Sequence, residues 1–130
     1  MAAIVSLPVL LRPIDRAADA VTPQAALAAA QRLGLTGPVF NSEAFGGYLI
    51  FSGVPTFIDG RIELYGNEFL ATYLKAERGD AAVLAGLLDR YRIAWALLQT
   101  ASPAATALDR LPGWRRVHGD DQAVVYGRGD

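Results

Sequence analysis

Along the chain the spacing of apolar positions switches repeatedly between a helical and a strand period, and the switches divide it into short elements. The alanine-rich run "QAALAAAQRL" is a strong helix former; Thr22-Pro23 reads as an N-cap with proline at the first helical position, and Gly34 as a left-handed stop. "GPVFNS" is β-branched and aromatic and predicts a buried strand ending near Asn41. Ser42 then predicts the cap of a helix carrying Phe45 and Leu49 as far as Gly53. Gly46 and Gly47 inside that helix each cost about 1 kcal/mol relative to alanine, and the expected compensation is close approach of the helix to the sheet or to a neighbouring backbone. After Gly53-Val54-Pro55, "TFID" predicts a second short strand ended by Gly60.

From Asn67 the residues Phe69, Leu70, Tyr73 and Leu74 form an apolar stripe at helical spacing, stopped by Gly79. Asp80 predicts the cap of the next helix, in which Val83, Leu84, Leu87, Leu88 and Tyr91 repeat the spacing. "IAWALLQ" is the longest continuous apolar strand candidate and predicts a central strand. Ser102-Pro103 opens a short helix that Pro112-Gly113 ends, and "WRRVHG" and "QAVVYG" flank Asp120-Asp121 as a closing hairpin. Helices alternating with strands in this order predict an α/β fold: a three-layer α/β/α sandwich with a mostly parallel central sheet and a C-terminal antiparallel hairpin, the last strand lying at one edge. Right-handed crossovers would set "VFN", "TFID" and "AWALLQ" side by side.

Length and charge narrow the picture. With 130 residues the chain suits one domain, here residues 22–130, preceded by a membrane-proximal or linker segment at 1–21. The apolar opening "MAAIVSLPVLL" is too short to span a bilayer and is interrupted by Pro8. Twelve basic and thirteen acidic residues, scattered along the chain, leave a formal charge of −1, so no electrostatic footprint for nucleic acid is present. The absence of cysteine excludes disulfides and thiolate metal sites.

Candidate chemistry is sparse. The single histidine, His118, has no second histidine or cysteine to complete a metal shell; it reads as a structural or surface residue of the hairpin, sharing a face with Trp114 and Arg116. No G-x-S-x-G stands around any serine, and the adjacent glycines of "EAFGGYL" lack the spacing of a phosphate or dinucleotide loop, so no catalytic residue, metal site or cofactor is assigned. Glu43, Asp59 and Glu63 are weighed as acid/base or cation groups against the commoner roles of helix caps and salt bridges. Trp95 reads as core and Trp114 as the anchor of the hairpin. If "VFN" and "TFID" are parallel neighbours, their carboxyl ends bring Asn41, Ser42 and Glu43 close to Asp59, Gly60 and Arg61, with Gln99 and Thr100 at the same edge, where ligands of open α/β sheets bind. Asn41, Ser42, Glu43, Tyr48, Asp59 and Arg61 are therefore the candidate binding residues, and an Asp59–Arg61 pair that fixes the strand-to-loop turn is the structural alternative.

Taken together, "PVFNSEAFGGYLIFSGVPTFIDGRIELYG", "LLDRYRIAWALLQ" and "LPGWRRVHGDDQAVVYGR" resemble the soluble C-terminal region of a family of bacterial multipass membrane proteins, glycosyltransferase-like and of the GT-C type. The resemblance runs from about Thr22 to Arg128 and rests on the order of its motifs. It implies a non-catalytic domain on the extracytoplasmic, periplasmic face of the inner membrane, whose partners are the membrane-embedded portion of the parent protein and a glycan or peptide acceptor. It also makes "AAIVSLPVLLRP" the exit from a last membrane helix. A fainter likeness is to the catalytic subunit of oligosaccharyltransferases, whose Trp-Trp-Asp-Tyr-Gly motif faces Ser42-Glu43-Ala44-Phe45-Gly46 here; both tryptophans are missing and alanine replaces the acid, so acceptor-peptide recognition does not carry over. A protein-interaction or assembly module, and a small enzyme built around Asp59, are the alternatives.

Overall fold

The computed structural model describes residues 22–58 and 66–129. The expected 1–21 segment and the residues Asp59, Gly60, Arg61 and Glu63 lie outside the described residues. The elements are α1 (Gln24–Arg32), β1 (Val39–Asn41), a 3-10 turn (Glu43–Phe45), α2 (Gly46–Phe51), α3 (Asn67–Glu77), α4 (Ala81–Arg90), β2 (Trp95–Gln99), α5 (Pro103–Arg110), β3 (Trp114–Gly119) and β4 (Ala123–Arg128).

Local signals place most of the boundaries. Asp80 accepts from the Val83 amide and Ser102 from the Ala104 amide, each side chain satisfying an orphan donor of the first helical turn, with Pro103 following Ser102 where its missing N–H costs nothing. Gly34, Gly53 and Gly79 all have positive φ at helix ends, the left-handed conformation that closes a helix. Two caps differ from expectation. The N-cap of α1 is Pro23, one residue later than Thr22, and no side chain caps it. Ser42 does occupy an N-cap position, but its hydroxyl accepts from the Gln99 amide across the sheet instead of capping its own turn. At Gly47 the close-approach reading fails, because a Cβ added at this exposed residue would meet nothing within 4 Å, whereas Gly46 is buried.

The four strands form one mixed sheet in the order β1-β2-β4-β3. Val39, Phe40 and Asn41 run parallel to Trp95, Ala96 and Leu97, whereas β2–β4 and β3–β4 are antiparallel. One pairing in three is parallel, so the mostly parallel sheet gives way to a mixed one. The closing strand is inserted beside β2, and β3 takes the edge. Their sequences explain the exchange: Ala123 to Tyr126 is buried at every position and needs cover on both faces, while Arg115 and Arg116 of β3 are exposed and suit an edge. Thr56 to Ile58 form no strand, and β1 pairs directly with β2.

Alternate residues of each strand enter two separate apolar clusters. Phe40, Ala96, Leu98, Val124 and Tyr126 pack with Tyr73 and Ala76 of α3, Leu84, Leu87 and Leu88 of α4, and Ala104, Ala105 and Leu108 of α5. Val39, Trp95, Leu97, Ala123 and Val125 pack with Ala26, Leu27 and Ala30 of α1 and with Phe45 and Leu49. Period-two alternation within the strands makes one sheet serve both clusters. Arg128 ties α4 to the sheet: it donates to the Leu88 and Ile93 carbonyls at 3.2 and 3.0 Å, pairs with Asp89, and lies 5.1 Å over the Trp114 ring.

The hairpin contains a β-bulge. Arg116 faces Tyr126 and His118 faces the next residue, Val125, so Val117 is the extra residue. The bulge breaks the alternation that would have put His118 beside Trp114 and Arg116; the partners of Arg116 and His118 belong to opposite clusters.

Candidate functional site

Among the described residues the carboxyl ends of β1 and β2 carry a dense polar network. Asn41 is fully buried, and its side chain behaves as a substitute strand partner: Nδ2 donates to the Ile58 carbonyl at 2.7 Å and to the Ser42 carbonyl at 2.9 Å, while Oδ1 accepts from the Phe57 and Ile58 amides at 2.8 and 3.3 Å. One primary amide thus holds residues 57 and 58 against the end of β1, in place of the ladder that "TFID" was expected to form. Ser42, 2% exposed, donates its amide to the Leu97 carbonyl at 3.0 Å and accepts the Gln99 amide at 2.9 Å.

Above this end lies the last turn of α3. The Tyr73 hydroxyl accepts from the Glu43 amide at 3.0 Å and sits 3.0 Å from the Asn41 carbonyl and 3.3 Å from Glu77 Oε2. Ser102 Oγ donates to Glu77 Oε1 at 2.5 Å. Burial pushes the Glu77 carboxyl above its ordinary range, the Ser102 and Tyr73 hydrogen bonds offsetting part of the effect. Burial also raises Tyr73, and the neighbouring Glu77 charge adds to it.

Beside the carboxyl is an open crevice of about 380 Å³ lined by Glu77, Gln99, Thr100, Ala101, Ser102, Pro103, Asp121 and Gln122. It contains carboxyl, amide and hydroxyl groups but neither a basic side chain nor an aromatic platform. Along the turn from β3 to β4, Asp120 Oδ2 lies 2.7 Å from His118 Nε2 and Oδ1 accepts the Gln122 and Ala123 amides. Burial works against ionisation of Asp120, yet these hydrogen bonds outweigh it and hold the carboxyl below the ordinary range. At the opposite end of the sheet an apolar crevice of about 400 Å³ is lined by Pro38, Val39, Pro55, Phe57, Tyr91 and Ile93, with the Phe57 ring 5.2 Å from Tyr91 and 5.3 Å from Phe69.

Of the residues named from sequence, Asn41, Ser42 and Glu43 meet at the strand end, where Gln99 and Thr100 also arrive. Tyr48 is elsewhere, partly buried against the cluster of α1 and Trp95. Asp59 and Arg61 lie outside the described residues. Tyr73, Glu77 and Ser102 went unselected. Tyr73 and Glu77 are four apart and share one face of α3, a legible spacing, but Ser102 signalled only a cap and nothing local announces that α3 ends over β1.

Among the described residues no group of three or more histidine, cysteine or acidic side chains is placed to hold a metal ion. Nor is any described helix long and apolar enough to cross a membrane. Comparison with protein-family models, curated proteins and solved structures gave no significant match.

Proposed function

We propose that residues 22–130 are a non-catalytic domain of a larger, glycosyltransferase-like membrane protein, standing on the extracytoplasmic side and positioning an acceptor or partner at the strand-end crevice. The observation that supports binding over chemistry is how the polar groups at that end are spent. Asn41 and Ser42 are consumed by backbone partners. The pair that most resembles a nucleophile and its base, Ser102 and Glu77, is taken up by structural contacts: Ser102 Oγ accepts the Ala104 amide as the cap of α5, and Glu77 meets the Tyr73 hydroxyl as well as Ser102. The open crevice beside them, with unspent amide and carboxylate groups on Gln99, Asp121 and Gln122, is suited to hydrogen-bonded recognition. Helices in both apolar clusters support a three-layer α/β/α arrangement for this domain.

An interaction or assembly module is the second reading, favoured by Phe51, 86% exposed, next to Ile50, 48% exposed, at the end of α2. Protease protection in spheroplasts of the native host tests the first. Retention in the membrane fraction together with digestion of residues 22–130 from the outer side is the expected result; recovery of the intact protein in the soluble cytoplasmic fraction overturns it.

A further inference from the structure

The proton count at the strand end leads to an inference that does not depend on the membrane reading. The Tyr73 hydroxyl has one proton and two acceptors, the Asn41 carbonyl at 3.0 Å and Glu77 Oε2 at 3.3 Å, while the Glu43 amide already donates to its oxygen. Ser102 also has one proton, which goes to Glu77 Oε1, its own oxygen accepting the Ala104 amide at 3.1 Å. With Glu77 ionised, the two acceptors compete for the single Tyr73 proton and one is left bare. A proton on Oε2 removes the conflict: Ser102 donates to Oε1, Oε2–H donates to Tyr73, and Tyr73 donates to the Asn41 carbonyl. Every group in the relay is then satisfied, as partly buried polar groups require.

We propose that Glu77 is a proton-operated latch, neutral when it joins α5 and α3 to the end of β1, and releasing the segment at Phe57 and Ile58 when it ionises. Two contacts transmit the change. Tyr73 holds the carbonyl of the residue whose side chain clamps both amides of that segment, and its ring stacks on Phe57 with centroids 6.2 Å apart and lies 5.6 Å from Phe40. An ionised Glu77 draws the Tyr73 proton away from Asn41, and its own charge is drawn toward the water of the adjoining crevice. The groups facing Glu77 favour the neutral form. Tyr73 and Ser102 contact it, Glu43 adds negative charge beyond Tyr73, and Asp121 lines the same crevice from the β3–β4 turn. The nearest basic neighbour in sequence, Arg78, lines a different crevice with Arg110. Burial pushing the carboxyl above its ordinary range agrees with this geometry.

The test follows the Glu77 side-chain carboxyl by carbon NMR in the intact chain, together with the hydrogen-exchange protection of the Phe57 and Ile58 amides, from about pH 3 to about pH 8. Glu77 is expected to titrate above the ordinary glutamate range, and the protection factors to fall with it, about tenfold for each pH unit separating its titration from that range. Glu77→Gln, whose amide donates to Tyr73 and accepts from Ser102, should keep the protection and lose its pH dependence. Tyr73→Phe should leave Glu77 titrating while uncoupling it from Phe57 and Ile58. Three results overturn the proposal: titration of Glu77 within the ordinary glutamate range, protection that does not follow the carboxyl, or an unchanged pH profile in Glu77→Gln. The wild-type titration decides the matter even if a variant fails to fold.

Discussion

Replacing Asn41 by alanine separates a structural amide from a ligand-binding one. The side chain makes three short bonds to backbone groups, at 2.7, 2.8 and 2.9 Å, and a longer one at 3.3 Å. Truncation leaves the Ile58 carbonyl and the Phe57 and Ile58 amides without that partner, while the Ser42 carbonyl keeps the Phe45 amide at 3.0 Å, and each orphaned buried group costs about 1–3 kcal/mol. Phe57 is only partly buried, so water recovers some of its loss, whereas Ile58 is 0% exposed and recovers little. The expected sum is about 4 kcal/mol, a large share of the roughly 5–15 kcal/mol by which a domain is stable. Urea denaturation measures it, with an unchanged slope showing that the unfolded state has not altered. A loss below about 1 kcal/mol would refute the clamp and return Asn41 to the list of ligand residues.

Trp95→Ala should lose about 3–5 kcal/mol in the same assay, because the side chain is 3% exposed and its Nε1 donates to the Gly37 carbonyl; a loss near zero would remove Trp95 from the core. Tyr126→Phe should cost about 1–2 kcal/mol, since the buried side chain's hydroxyl lies 2.8 Å from the Ala105 carbonyl and 2.7 Å from Asp109 Oδ1. His118→Ala, which breaks a partly exposed pair with Asp120, should cost about 1 kcal/mol or less, and a larger loss than at Trp95 would contradict its peripheral placement. Stability should decline on both sides of an optimum in pH. Burial opposes ionisation of Asp109 and Asp120, but hydrogen bonds from Tyr126 and Arg116 to the first, and from His118 and backbone amides to the second, hold both below the ordinary range; their contribution is present above that range and is lost as acid protonates the unfolded chain first. Glu77, raised by burial, acts in the opposite sense: stability falls as pH climbs from the ordinary glutamate range to its folded value, and Glu77→Gln should flatten that limb alone in denaturation midpoints taken across pH.

The parts of the fold legible from sequence are those whose cause is local. Asp80 and Ser102-Pro103 cap the helices they precede, and Gly53 and Gly79 end them, because each acts within one turn of chain. The partnership of "VFN" with "WALLQ" was hidden because "TFID" has the composition of a strand and a plausible place between them; a single buried amide, Asn41, secures that segment without a ladder. The order of the last two strands was obscured for a different reason. Hairpin connectivity leaves open which arm joins the sheet, and only the contrast between Arg115-Arg116 and the unbroken Ala123–Tyr126 run decides it. At the candidate site the strand-end residues were accessible from topology and the four-residue spacing of Tyr73 and Glu77 was legible, but their meeting with Ser102 and the end of β1 comes from tertiary packing, which no spacing encodes.

The extra residue Val117 also bears on how copies of this chain avoid one another. An outer strand that is flat and apolar offers its unpaired amides and carbonyls as a template for a second chain, the first step toward sheet-to-sheet polymers. β3 is the outer strand on its side of the described sheet, six residues long, and therefore the one most exposed to this hazard. The irregularity at Val117 interrupts the regular spacing of donors and acceptors midway along it and coils the strand locally. The exposed Arg115 and Arg116 precede the interruption, so an incoming copy would have to align like charges over a discontinuous register. Deleting Val117 would restore a continuous strand and, by the same reasoning, a chain more prone to fibril formation at high concentration.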